Sequence, residues 1–282
     1  MTTTITTIAA VRERTASART AGRRVALVPT MGALHEGHLA LVARARAVAD
    51  VVVVSVFVNP MQFGPEEDFA RYPRDLAADR ALLAEAGADV LFAPDAGELL
   101  PDGRTEVRVA AGPIGDTLEG RVRPGHFDGV LTIVLKLLHI VGPDVVVFGQ
   151  KDAQQVFLVR RMIRDLDVPV ELEVVDTVRE DDGLARSSRN RYLDADGRRL
   201  ARAVPAALDA AASSADRGAA AMVAAAQRAL TGEDGAALEY GVVVDPATFR
   251  PVHDGYRGRA LVLVAARVGG TRLIDNRFVH LG

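Results

Sequence analysis

Five short runs built largely from valine constrain this chain more than any other feature. Residues 25–28, 51–58, 90–92 and 145–148 place β-branched and apolar residues in succession, without the polar alternation of a strand that faces water on one side, and the fifth run, 170–175, is valine-rich with Glu171 and Glu173 within it. Such runs suit strands covered on both faces. Segments of helical length lie between them, at 36–48, 76–86, 127–140 (stopped by Gly142 and Pro143) and 153–165. Buried strands alternating with helices predict an α/β fold, a parallel sheet with helices packed on it.

After Thr177 the texture changes. A polar loop at 179–191 leads into an alanine-rich stretch at 200–230 that reads as helix, followed by short strands at 238–244, 260–268 and 272–274. This predicts two domains, 1–177 and a smaller α+β domain at 178–282. The first 24 residues are rich in Thr, Ala and Arg with Glu13 as their one acid, and they lack the apolar core of a secretory signal. A surface helix near 8–18 is expected there. The most apolar run, 130–141, is interrupted by Lys136 and His139 and falls far short of the ~20 residues that span a bilayer.

With 282 residues, 49% of them hydrophobic, the chain is long enough for a substantial core. Its formal net charge of −3 supplies no global field for nucleic acid or an anionic membrane, so anionic ligands must be held by local groups. The absence of cysteine excludes disulfides, thiolate zinc sites and cysteine nucleophiles, and fits a reducing, cytoplasmic setting. Small molecules are the expected partners.

In an open parallel sheet, ligands bind beyond the carboxyl ends of the strands. The first such segment holds Pro29, Met31, Gly32, His35, Gly37 and His38, with two histidines three apart at a probable helix start. A helix N-terminus approached by glycine backbone is a phosphate site, and imidazoles beside it can stabilise charge on a phosphate undergoing substitution. A zincin helix needs its histidines four apart, so the spacing is wrong for that metal site. After the second run, Asn59, Pro60, Met61 and Gln62 form a turn that carries an amide. After the fourth run, Gly149, Lys151, Asp152 and Gln155 stand at a strand end and first helical turn, where Lys151 could meet solvent or phosphate and Asp152 a ribose. Ser187, Ser188 and Arg189 combine hydroxyls with a guanidinium, as a phosphate clamp or as a solvated basic loop. Arg121, Arg123 and His126 form a further basic cluster that could face a substrate or a partner subunit.

Taken together, segments 29–39, 57–64, 71–74, 123–129, 148–155 and 183–193 resemble the pantothenate synthetases, in the same order and at similar separations. The resemblance implies a homodimer with a Rossmann-like nucleotide-binding domain and a C-terminal lid. It also implies a magnesium-dependent reaction in which pantoate attacks the α-phosphorus of ATP, expels pyrophosphate, and is then passed from the acyl-adenylate to β-alanine with release of AMP. On matching positions, His35 and His38 would contact phosphate, while Lys151, Ser187, Ser188 and Arg189 would hold the triphosphate. Pro29, Met31, Gly37, Gly149, Asp152 and Val178 would line the nucleotide site. Gln62 and Gln155 would hold pantoate beside Met31, and Asp79 would bind magnesium with the pyrophosphate. Arg186 departs from the pattern, since the family usually has an apolar residue there.

These residue types suit that chemistry. An arginine pairing bidentately with pantoate would stabilise the ground state and blunt the nucleophile, whereas an amide orients it with less electrostatic cost. No dedicated base for the β-alanine amine is evident. A nucleotidyltransferase acting on a phosphorylated acceptor would share His35 and His38 but should need more cations around Gln62 and Gln155. A nucleotide sensor would need affinity without two histidines aimed at the α-phosphorus.

Overall fold

The computed structural model describes residues 2–65, 67–231 and 236–282. Contacts divide the chain into two units, Met1–Gly149 with Leu158–Val175, and Gln150–Phe157 with Asp176–Gly282.

The first unit holds a six-stranded sheet made of β1 (Thr3–Ile5), β2 (Val25–Thr30), β3 (Val51–Val56), β4 (Val90–Phe92), β5 (Val145–Gly149) and β6 (Glu171–Val175). Their order is β1-β4-β3-β2-β5-β6 and every pairing is parallel. Val25, Val28, Val53, Val54, Val145 and Val147 are sealed from solvent, as runs without alternation require. Register at the leading edge of the sheet is set by aspartates that immediately precede strands. Asp144 accepts from the Val25 N–H (2.7 Å), Asp89 from Val52 N–H (2.8 Å) and Asp50 from Arg24 N–H (2.8 Å). Each carboxylate thereby satisfies an amide at or just before the start of the neighbouring strand.

Helices Glu36–Val48, Leu76–Ala86 and Ala153–Asp165 form where the sequence predicts them, and His126–Val141 extends the predicted helix by one residue at each end. Two differences have physical causes. Strand β1 was not expected, because a three-residue edge strand of two threonines and an isoleucine carries too little apolar signal; pairing with β4 forms it. The helix Ile8–Thr20, expected on the surface, buries Val11, Thr15 and Ala18 along one side.

The second unit contains an antiparallel sheet of β7 (Ala236–Val244), β8 (Gly258–Val268) and β9 (Thr271–Leu281), in that order. Gly269 at φ +55° and Gly270 make the two-residue turn between β8 and β9. Helices Ala203–Ala212 and Ala219–Thr231 pack with the sheet around Val204, Leu208, Met222, Leu230, Val262 and Val264. The expected alanine-rich helix is thus broken, with a short helix Ala195–Ala201 before it and Gly218, at φ +87°, interrupting it. The last strand is much longer than the predicted 272–274, because buried polar residues continue it. No helix among the described residues is long and apolar enough to cross a membrane.

Candidate active site

In the first unit the candidate residues gather at the carboxyl ends of β2, β3 and β5. Thr30 closes β2, donating its hydroxyl to Ser55 O (2.7 Å) and accepting from Gly32 N–H (3.2 Å). The chain then turns sharply, with Gly32 at φ +81° and Ala33 at φ +52°. A Cβ at Gly32 would lie 2.8 Å from an Asp79 oxygen, so glycine is required both for conformation and for space. Asp79, in the first turn of helix Leu76–Ala86 and 3% exposed, accepts from Ala33 N–H (3.1 Å) and Leu34 N–H (2.8 Å). Its two oxygens brace the turn that delivers the histidines.

The three-residue spacing of those histidines is explained by helix capping. His35 is the N-cap of helix Glu36–Val48, with extended backbone. Its Nδ1 accepts from Gly37 N–H (3.1 Å), while His38 Nδ1 accepts from His35 N–H (3.3 Å). This is the reciprocal capping box, with imidazoles in the places usually taken by Ser or Thr and by Glu. Because both Nδ1 atoms accept backbone hydrogens, each neutral ring carries its proton on Nε2. The rings lie 4.1 Å apart between centroids, so two imidazoles sit side by side at the helix start. A donor-rich helix N-terminus of this kind is complementary to phosphate.

Gln62 sits in a short 3₁₀ turn, Pro60–Gln62, capped by Asn59. Asn59 Oδ1 accepts from Met61 N–H (3.2 Å), which makes its Nδ2 the donor to Gly129 O (3.1 Å) and to Gln62 Oε1 (3.2 Å). The Gln62 amide is thereby oriented, and its Nε2 donates to Met31 Sδ (3.0 Å). A side chain so held has a second N–H that suits a carboxylate or hydroxyl. Gly129 lets the turn dock on helix His126–Val141, since a Cβ there would fall 2.2 Å from Met61 O.

The basic segment around Arg123 serves this same turn. Arg123 pairs with Glu67 (2.5 Å), donates to Gln62 O (3.3 Å) and approaches His126 Nε2 (3.0 Å). A guanidinium can only donate, so His126 accepts at Nε2 and donates its Nδ1–H to Gln62 O (2.8 Å). Burial pushes the Glu67 carboxyl up, but the Arg123 hydrogen bond and charge outweigh it and hold the group below its ordinary value. Pro29 lies in β2 opposite Ser55, and Gly149 ends β5.

In the second unit, Lys151 and Asp152 share the 3₁₀ turn Gln150–Asp152, with Lys151 Nζ 3.8 Å from an Asp152 oxygen. Gln155 follows in the first turn of helix Ala153–Asp165. Val178 stands at the base of a hairpin closed by the Arg179–Ala185 bridge, with Arg186 N–H donating to Val178 O (2.9 Å), and the two serines follow it. Ser187 caps the 3₁₀ turn Ser188–Tyr192, accepting from Arg189 N–H (3.2 Å). Below it, Glu180 receives Asn190 Nδ2 and Arg198, both at 2.7 Å; burial raises its carboxyl, but these partners more than offset that.

Sequence reasoning found the segments but missed Asn59, Glu67, Gly129 and the bracing by Asp79. Their signals were present as an asparagine before a proline turn and a capping-box spacing, yet their partners lie 56 to 70 residues away in sequence for Glu67 with Arg123 and Asn59 with Gly129. Among the described residues no three His, Asp or Glu side chains form a group able to hold a metal ion.

A parallel α/β sheet with a donor-rich helix start beyond its strand ends defines a nucleotide-binding class of enzyme fold. The pantoate–β-alanine ligase family model matches residues 3–278, and the chain belongs to that family. Pantothenate synthetase of Leifsonia xyli is 58% identical, over 92% of this chain and 90% of that protein, and the Agrobacterium fabrum enzyme is 52% identical over 98% and 95%. The crystal structure of pantothenate synthetase from Thermus thermophilus superposes with a TM-score of 0.90 at 48% identity, covering 98% of this chain and 99% of that one. The ligase from Francisella tularensis, solved with β,γ-ATP and β-alanine, gives 0.82 at 33% identity over 98% and 97%.

Proposed function

We infer that this chain condenses pantoate with β-alanine at the expense of ATP, through a pantoyl-adenylate, releasing pyrophosphate and AMP. The observation that carries the reading is the reciprocal histidine cap, which sets two imidazoles, their protons on Nε2, at one helix N-terminus. ATP brings roughly four negative charges and pantoate one more, so preset donors where charge moves are the main requirement. In our reading His35 and His38 hold the phosphate under attack, with Pro29, Met31 and Gly37 shaping the nucleotide's approach. Lys151, Ser187, Ser188 and Arg189 neutralise the departing pyrophosphate, while Gly149, Asp152 and Val178 line the nucleoside. Gln62, its amide oriented by Asn59, and Gln155 read the pantoate carboxylate and hydroxyls.

Magnesium is the cation expected with ATP, but Asp79 is a poor fit as its ligand, being buried with both oxygens engaged by loop amides. We therefore assign Asp79 to the loop. Magnesium, which favours phosphate oxygens and water, would supply charge neutralisation on the phosphates. We further propose that residues 178–282 act as a lid domain, that the enzyme is a homodimer, and that it works in the cytoplasm, where a chain without cysteine needs no oxidising environment. The test is stoichiometry: with ATP, magnesium, pantoate and β-alanine, AMP and pantothenate should form in equal amounts. Product formation that survives omission of pantoate, or ADP in place of AMP, would reject the reading.

A further inference from the structure

Strand β9 carries two features that its sequence hides. Asp275 and Asn276 interrupt the apolar run, yet both lie mid-strand, 2% and 4% exposed, opposite Val264 and Leu263 of β8. A carboxylate and an amide buried at consecutive positions are costly unless their polar atoms are partnered. Apolar residues would serve the sheet better, so their partners are the informative part.

Asp275 receives Arg179 through two bonds, Nη1 to Oδ2 (2.7 Å) and Nη2 to Oδ1 (3.1 Å). The same Arg179 donates to Gly183 O (2.9 Å) and bridges Ala185, closing the stem of the hairpin that leads to Ser187, Ser188 and Arg189. The Asp275 hydrogen bond raises the Arg179 guanidinium above its ordinary value. Strand pleating sends Asn276 to the opposite face. There its Nδ2 donates both hydrogens to main-chain carbonyls, Gln150 O (3.0 Å) and Lys151 O (2.9 Å), while Oδ1 accepts from Gln150 Nε2 (3.2 Å). Carbonyls can only accept, which fixes the amide's orientation. These contacts also explain why Gln150–Phe157 groups with the C-terminal chain.

We propose that Asp275 and Asn276 are positioning residues for the nucleotide's phosphates, one strand holding both the Lys151 turn and the stem of the Ser187–Arg189 hairpin. Neither touches substrate. The proposal rests on reading Lys151 and Arg189 as phosphate-binding groups. Lysine is a flexible point charge, and fixing its main chain at both flanking carbonyls removes part of the ordering that phosphate binding would otherwise require.

Asn276→Asp tests this at constant size, because it points an acceptor at two acceptors. In the full-length protein, with melting monitored to confirm folding, the KM for ATP should rise about tenfold or more while that for pantoate stays within about twofold. ATP binding by calorimetry, without pantoate, should weaken by the same factor, independently of turnover. In a Lys151→Ala background, Asn276→Asp should add less than about twofold, since its effect passes through Lys151. Equal losses in both backgrounds, or wild-type ATP affinity in Asn276→Asp, would overturn the proposal. If Asn276→Asp fails to fold, Asn276→Ala takes its place with the same criteria. Failure of the wild type to form AMP with pantoate would instead count against the functional reading, and the calorimetric cycle would still decide this one.

Discussion

Two histidines three apart invite a reading as metal ligands or as a phosphate site, and their backbone partners decide between them. With both Nδ1 atoms accepting amide hydrogens, neither Nδ1 is available to a metal, and the Nε2–H groups are donors. Position in sequence was enough to find this pair, since it follows the first buried strand. Its capping role was not anticipated, because capping boxes are usually sought as Ser or Thr with Glu. Asp79 shows the converse. Sequence similarity pointed to a magnesium ligand, but the side chain's surroundings, which depend on a loop 45 residues earlier, engage it elsewhere. Asp79→Asn should therefore lower kcat, because one amide of the Ala33–Leu34 pair would face an NH2 group, and should leave the half-saturating magnesium concentration within about twofold of wild type. A magnesium requirement shifted tenfold upward would return Asp79 to the metal.

At the level of elements, the buried strands and their helices were legible because an apolar run without alternation has few other uses in an α/β chain. Elements formed mainly by their neighbours were not. β1 exists through its pairing with β4, and β9 continues through Asp275 and Asn276 because partners from distant segments satisfy them. The Gln62 turn is a similar case: Arg123, Glu67 and His126 hold it, and no local pattern announces that. The Glu67 carboxyl is held below its ordinary value, so the folded state binds its proton less readily than the unfolded chain. Its stabilisation is present above the unfolded pKa, ~4.3, and is lost as pH falls through the lowered folded value. The difference in Tm between wild type and Glu67→Gln should accordingly be constant near neutrality and vanish in acid. A difference unchanged from pH 7 to well below the carboxylate range would contradict this account of the turn.

For the molecule as a whole, the family could be read from six segments together, whereas no single one was specific. Segments 29–39, 57–64 and 148–155 lie at the ends of buried strands, where a parallel sheet places its ligands, and 183–193 holds the Ser187–Arg189 loop of the second unit. The central claim is that the histidine-capped helix start promotes adenylation of pantoate. Exchange of labelled pyrophosphate into ATP tests it most directly, comparing wild type with His35→Asn, a substitution that keeps an N-cap acceptor while replacing the imidazole Nε2–H by the N–H of a shorter amide that cannot reach as far. Wild type should exchange with pantoate and magnesium alone, without β-alanine, and His35→Asn should melt at the same temperature yet exchange about 10²-fold more slowly. Exchange that demands β-alanine, or a folded His35→Asn variant exchanging at the wild-type rate, would contradict the account.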